Sequence, residues 1–421
     1  MTFLSAPRRR RLAAATTAAC LLAAIAGSGP AAVASQHRPP SRHSSPPSRR
    51  SSPPSRRSSP LSRHGSPLSR HGSPHPAARW APQLHVSGNH LVDAAGRRMV
   101  LHGVDRSGGE YQCVRGRGIW DGPMNQAAIN VMKTWDINAV RVPLNEACWN
   151  GQSYVEHRYR GARYRRAVEA YVHLLNRNGL VAILDLHWTN GRFLPKPTGE
   201  KPVCDVSEAQ CQKPMPDAAQ SVPFWTSVAR TFRGENAVIF DLFNEPYPNY
   251  VDGATWGEAW HCWRYGGTCT GISYRVAGMQ TLVRAVRSAG ARNVIMVGGI
   301  SSANDLDGWL THEPSDPDHN LVASWHSYSF SICVSVTCWV ADIAPVIARV
   351  PVIVGELGES DCSDAYIDPL MSWLDTTGTS YLAWAWNANF HCTGGPSLIS
   401  SYSGAPTPYG VGFRAHLRSL P

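Results

Sequence analysis

The chain has 421 residues, with 40 Lys and Arg against 30 Asp and Glu, and a formal net charge of +10. The excess sits at one end: residues 1–79 hold 13 of the arginines and no acidic residue, leaving −3 from residue 80 onward. A basic total would ordinarily suggest nucleic acid, but a slightly acidic body behind a basic tail argues against nucleic-acid binding as the main function.

Arg8 to Arg11 precede an apolar stretch from Leu12 to Ala26 and then Ala32-Val33-Ala34, the layout of a secretory signal cleaved after about Ala34. The stretch is shorter than the roughly 20 residues of a spanning helix, so no membrane insertion is expected. Residues 35–79 are dominated by Ser, Pro, Arg and His. Seven-residue units repeat from Ser41-Arg42-His43 to Ser69-Arg70-His71. Without apolar a and d positions, and with frequent proline, this segment predicts an extended, disordered linker rather than a coiled coil. Its charge makes it available to an anionic cell surface, the plainer reading being a solvated spacer.

Of 11 cysteines, all but Cys20 lie beyond the signal. An even number in an exported chain predicts disulfides. Three close pairs stand out: Cys204 with Cys211, Cys262 with Cys269, and Cys333 with Cys338. Connectivity does not follow from sequence alone; for the other four, Cys113 with Cys148 and Cys362 with Cys392 is the pairing put forward, joining loops at one rim. No C-x-x-C spacing supports a metal site.

From Trp80 to Pro421 the sequence alternates between short apolar runs and helical periodicity. Turn signals within Val86 to Val100 predict a hairpin. The strand candidates are Met99–Val104, Ala139–Pro143, Val181–His187, Ala237–Asn244, Val294–Gly298, Leu321–His326, Val352–Glu356 and Tyr381–Trp386. Helical spacing is clearest in Tyr164–Leu175, Val222–Phe232, Val276–Val286 and Tyr366–Leu374. This alternation predicts an α/β chain of parallel βαβ units closed as a (β/α)8 barrel, with the hairpin at its base. The first strand lacks a Gly-x-Gly-x-x-Gly turn, which disfavours a dinucleotide fold. Two insertions, Thr189–Ala218 and Tyr247–Thr270, fall on the face where strands end and are expected to shape a groove.

Two of the runs lead into glutamates, Asn244-Glu245-Pro246 and Gly355-Glu356. Carboxyls at the carboxyl-terminal rim of a barrel are placed for glycoside hydrolysis. With Val140-Arg141-Val142-Pro143, Leu186-His187 and Trp325-His326-Ser327-Tyr328, these motifs give the chain from Trp80 onward a resemblance to glycoside hydrolase family 5, the cellulase family. The resemblance implies that Glu245 is the acid/base and Glu356 the nucleophile of a retaining reaction. It further implies that Arg141, His187, Asn244, His326, Tyr328 and Trp386 contact substrate, Trp386 as an aromatic platform. No metal or cofactor is implied. The implied partner is a β-linked polysaccharide, most simply a β-1,4-glucan, cleaved by a secreted monomer. A mannan, xylan or exo-acting specificity is the alternative within the family, and a non-catalytic glycan-binding protein the alternative outside it. Two positions depart from the pattern: Asp105 where much of the family has Asn, and Trp188 where many members have a polar residue.

Overall fold

The computed structural model describes residues 80–191, 212–392 and 394–420. The signal, the repeats and the Cys204–Cys211 pair lie outside them. Eight parallel strands close into a barrel, in chain order β4 (His102–Asp105), β5 (Ala139–Asn145), β6 (Val181–Trp188), β7 (Val238–Asp241), β10 (Ile295–Gly298), β11 (Leu321–Tyr328), β12 (Val352–Gly358) and β13 (Ser380–Ala383). All eight were legible as apolar runs, because helices cover the outside and side chains fill the inside. Boundaries shift by one to three residues, and two of these shifts bear on the site. The fourth ladder ends at Asp241, so Asn244 and Glu245 sit on the loop beyond it, and the eighth ends at Ala383, before Trp384.

Before the barrel come β1 (Leu84–Ser87), β2 (His90–Asp93) and β3 (Arg98–Met99), a small antiparallel sheet. Leu84 and Leu91 from this sheet join Ala139, Val181, Ile183, Ile239, Met296, Val322, Ile353 and Leu382 in one apolar cluster inside the barrel's amino-terminal end. The Leu84 amide donates to the Asn236 carbonyl at 2.9 Å, fixing the hairpin as a plug. Strand alternation then carries the next inward positions to the other end: Asp105, Arg141, Asp185, Asp241, Ser324 and His326. Apolar layers therefore fill the floor and polar, mostly ionisable layers the mouth.

Outside, the helix Ser221–Phe232 shows the packing logic. Phe224, Trp225, Val228 and Phe232 recur at three- and four-residue spacing and are all fully buried. Each such side chain contributes about 1.5–3 kcal/mol by leaving water. The Trp225 indole N–H donates to the Leu242 carbonyl at 2.9 Å, tying this helix to the loop that carries Glu245. The helix expected over Val276–Val286 begins later, at Met279, because Val276–Ala277 (β9) pairs with Gly266–Gly267 (β8). Gly266–Gly267 lies within the second insertion, whose helix, Trp256–Tyr265, starts on a Thr255–Glu258 capping box and is tied to the following loop by Cys262–Cys269. The other described bridges are Cys113–Cys148, Cys333–Cys338 and Cys362–Cys392, and each joins segments that follow barrel strands.

Candidate active site

Arg141 lies at the centre of the mouth with no exposed surface. Its Nε donates to Asp241 Oδ2 at 2.9 Å, and Nη1 donates to Asp105 Oδ1 at 3.0 Å and to Glu356 Oε1 at 2.7 Å. Nη2 donates to Asn244 Oδ1 at 2.8 Å and lies 3.1 Å from Asp185 Oδ2. One guanidinium thus joins β4, β5, β6, β7 and β12. Removing it would leave several carboxylates buried without a counter-charge, a loss of at least about 3–5 kcal/mol.

Glu356 reaches this position through an irregularity in its strand. Ile353 faces inward and Val354 outward, so regular alternation would turn Glu356 away from the mouth. The pairing with β11 instead steps from Trp325–Val354 to His326–Glu356, making Gly355 an extra residue that re-aims the glutamate inward. A side chain at position 355 would meet His326 Nε2 at 2.9 Å and Ser324 Oγ at 3.0 Å, so the bulge has room only for glycine. Tyr328 O–H donates to Glu356 Oε2. Burial alone would push the Glu356 carboxyl up, but the charges of His326, Arg141 and His187 and the Tyr328 hydrogen bond outweigh it and hold its pKa at about 2.

Glu245 stands opposite, with its side chain 29% exposed. Its Oε1 is 3.2 Å from His326 Nδ1, and ligand atoms of Glu245, His326 and Glu356 all lie within 4.8 Å of one another. The other such convergence among the described residues, Cys333, Cys338 and Asp342, has its two sulfurs bonded to each other. His187 Nδ1 is 2.7 Å from Asp185 Oδ2. Burial would lower the His187 pKa, but the charge and hydrogen bond of Asp185 raise it.

The structure thus brings Arg141, His187, Asn244, Glu245, His326, Tyr328 and Glu356 to one mouth, and leaves Trp386 out. Trp386 is only 1% exposed and meets the Trp135 ring edge-on at 4.9 Å in the outer core, so it cannot serve as a platform. With the strand over at Ala383, alternation no longer predicts where Trp386 points. Trp384 is the half-buried ring at the mouth, stacked on His187 at 5.2 Å and 10°. Asp105 bears on Arg141 and, being fully buried, has no surface to offer a substrate. Trp188 packs beside Tyr111 at 6.1 Å, with the Arg115 guanidinium 5.6 Å over its ring.

Sequence reasoning missed a second layer. Gln212, at the edge of the first insertion, accepts from the Glu245 amide at 2.9 Å. Ser301, Ser302 and Ala303 all have φ near +57° and form a left-handed turn. Its Ser302 amide donates to the Pro246 carbonyl at 2.9 Å and its Ala303 carbonyl accepts from the His326 amide at 2.9 Å, linking the two sides of the site. Asp185 and Asp241 did leave a signal: each is the one acid of its strand, at an inward position.

Two carboxyls facing across the mouth of a (β/α)8 barrel, one held ionised by an arginine and a tyrosine, make a glycosidase site. The family described as Cellulase (glycosyl hydrolase family 5) matches residues 92–390, and the chain belongs to that family of retaining glycoside hydrolases. A mannan endo-1,4-beta-mannosidase of Salipaludibacillus agaradhaerens is 22% identical over 319 residues, 72% of this chain and 82% of that protein. Endoglucanase A of Butyrivibrio fibrisolvens is 24% identical, over 59% of this chain and 46% of its own length. Among solved structures, a beta-glucanase from Saccharophagus degradans aligns with TM-score 0.60 at 17% identity, covering 81% of this chain and 94% of its own. A beta-mannanase from Thermomonospora fusca aligns with TM-score 0.55 at 19% identity, over 78% and 93%. At these identities the structural likeness carries the fold.

Proposed function

We propose that the chain is an exported endo-β-1,4-glucanase working by double displacement, with Glu356 as nucleophile and Glu245 as acid/base. The observation that carries this reading is the spacing of the two carboxyls, oxygens of which lie within 4.8 Å. Retaining enzymes hold the pair about 5–5.5 Å apart, whereas inverting ones need about 6.5–9.5 Å to admit a water between. Ionised Glu356 attacks the anomeric carbon while Glu245 gives its proton to the leaving oxygen, so a glycosyl ester forms as the glycosidic bond breaks. Water then loses a proton to Glu245 and displaces Glu356, restoring both groups. Asn244, with Oδ1 taken by Arg141, offers its amide hydrogens to the sugar 2-hydroxyl, and Trp384 supplies the ring on which that sugar stacks. Neither step calls on a metal or cofactor.

Residues 1–34 are read as the signal, 35–79 as the linker and 80–421 as the catalytic barrel. Four disulfides among the described residues support export. A second reading, endo-β-1,4-mannanase, is favoured by the mannan endo-1,4-beta-mannosidase of Salipaludibacillus agaradhaerens.

The test uses the full chain recovered from culture medium, where its amino terminus should lie near Ser35. Reducing-sugar release is measured from carboxymethylcellulose, mixed-linkage glucan, mannan, xylan and aryl glycosides. Release from the glucans is expected, and Glu356→Gln should lower it by at least about a thousandfold with the melting temperature retained. Release from mannan alone would select the second reading, and from aryl glycosides alone an exo-acting pocket. Silence of the wild type across the panel would favour a glycan-binding protein, and near-normal release by Glu356→Gln would remove its assignment.

A further inference from the structure

Directly beyond Tyr328, the chain turns so that Phe330 stacks on the Tyr328 ring at 5.1 Å and 17°, one ring further from Glu356. Phe330 is 59% exposed and Ile332 beside it 71% exposed, although the site next to them is almost wholly buried. Single exposed hydrophobics are ordinary on surfaces. This one is held in place by polar bonds on every side. The Ser331 amide donates to the Tyr328 carbonyl at 2.9 Å, and the Ser329 amide to the Gly358 carbonyl at 3.2 Å. Buried Asn304 accepts from the amides of Ile332 at 3.1 Å and Cys333 at 2.8 Å, while its own amide donates to the His326 carbonyl at 2.7 Å. Cys333–Cys338 then closes the loop. The same asparagine therefore braces both the catalytic His326 segment and the Phe330 turn, which makes the ring a continuation of the site.

We propose that the outward face of Phe330 is a sugar platform, taking a pyranose ring of a β-linked chain beyond the sugar held at Glu356. One ring face is already paired with Tyr328, and the other is apolar, fixed and open. The carbon–hydrogen face of a hexopyranose matches it in shape and polarity, and an ordered aromatic ring loses little freedom on binding. Ile332 extends the apolar contact at the edge. The proposal rests on the reading of this barrel as a glycan hydrolase, and its test separates the two.

Binding of cellohexaose and mannohexaose to the full chain is measured calorimetrically in the turnover-blocked Glu356→Gln form, with Phe330 intact or replaced. Phe330→Ala should weaken binding of the better hexasaccharide about 10-fold, about 1.4 kcal/mol, and Phe330→Trp should restore it. In the otherwise wild-type chain the same replacement should raise KM more than it lowers kcat, increasingly so with longer oligosaccharides. An unchanged dissociation constant, or no binding of either hexasaccharide with Phe330 intact, overturns the platform. A fall in kcat at constant affinity also overturns it, by reducing Phe330 to support for Tyr328. Phe330-dependent binding by a wild type that cleaves nothing would discard hydrolysis and keep the platform.

Discussion

Tyr328 gives Glu356 a hydrogen bond that only the ionised carboxylate fully repays, and this has a kinetic signature. With its pKa held at about 2, Glu356 is ionised well below the ordinary glutamate range near 4.3, so its ionisation persists in acid where a free carboxyl would protonate. Tyr328→Phe removes one contribution that lowers this pKa. The acid limb of kcat/KM should therefore move to higher pH, with a fall of about 10- to 100-fold at the optimum. A limb at the same pH in both enzymes would show that Tyr328 does not tune Glu356. At this scale the sequence was informative wherever a polar residue interrupted a buried strand, as at Arg141, His187 and His326. It misled at Trp386, whose implied role as a platform went with an eighth strand read as far as Trp386, although the ladder stops at Ala383. Trp384, two residues earlier, is the ring that stays at the mouth.

Among the elements, the turn at Ser301 to Ala303 is the least expected. Left-handed backbone costs an L-residue about 1–2 kcal/mol, and three such residues follow one another without glycine. Asn249 supports them, accepting from the Ser301 amide at 3.0 Å and donating to Ser301 Oγ at 2.9 Å. Ser302 is half-buried, so Ser302→Gly keeps the turn's backbone bonds and relieves one residue's strain. Such a change should stabilise the fold by about 0.5–1 kcal/mol, read as a higher denaturant midpoint. A lower midpoint would mean that the serine side chain holds the turn. Nothing in Gly298-Gly299-Ile300-Ser301-Ser302-Ala303 signals this conformation, since its serines and alanine suit many others. Strand β12 was equally opaque: Val352 to Glu356 reads as a plain apolar run, and its extra residue emerges only when it pairs with β11.

At the scale of the whole molecule, buried acids set the response to pH. Burial pushes Glu110 and Asp241 to about 7 and Glu146 to about 8, and raises Asp105 well above its ordinary range. A group whose pKa rises on folding contributes stability at low pH and loses it as pH climbs through the folded value. Glu356 works in the opposite sense, but its contribution is complete above about pH 5. The barrel should therefore melt at a higher temperature at pH 5.5 than at pH 8.5, and equal or reversed melting temperatures would refute this account. The barrel itself was the most legible level, because eight alternations of strand and helix leave few ways to bury both. The apolar floor was readable as strand starts, and the hairpin beneath it from its turns. The links between elements, such as Gln212 to Glu245, depend on loops whose sequences carry no period.

Glu356 faces its partner only because β12 carries one residue more than its neighbours require. A homologue that lost that residue would still spell every side chain of the site in the right order, yet would point its glutamate at a helix. In this strand, length rather than spelling separates a working hydrolase from a barrel that merely looks like one.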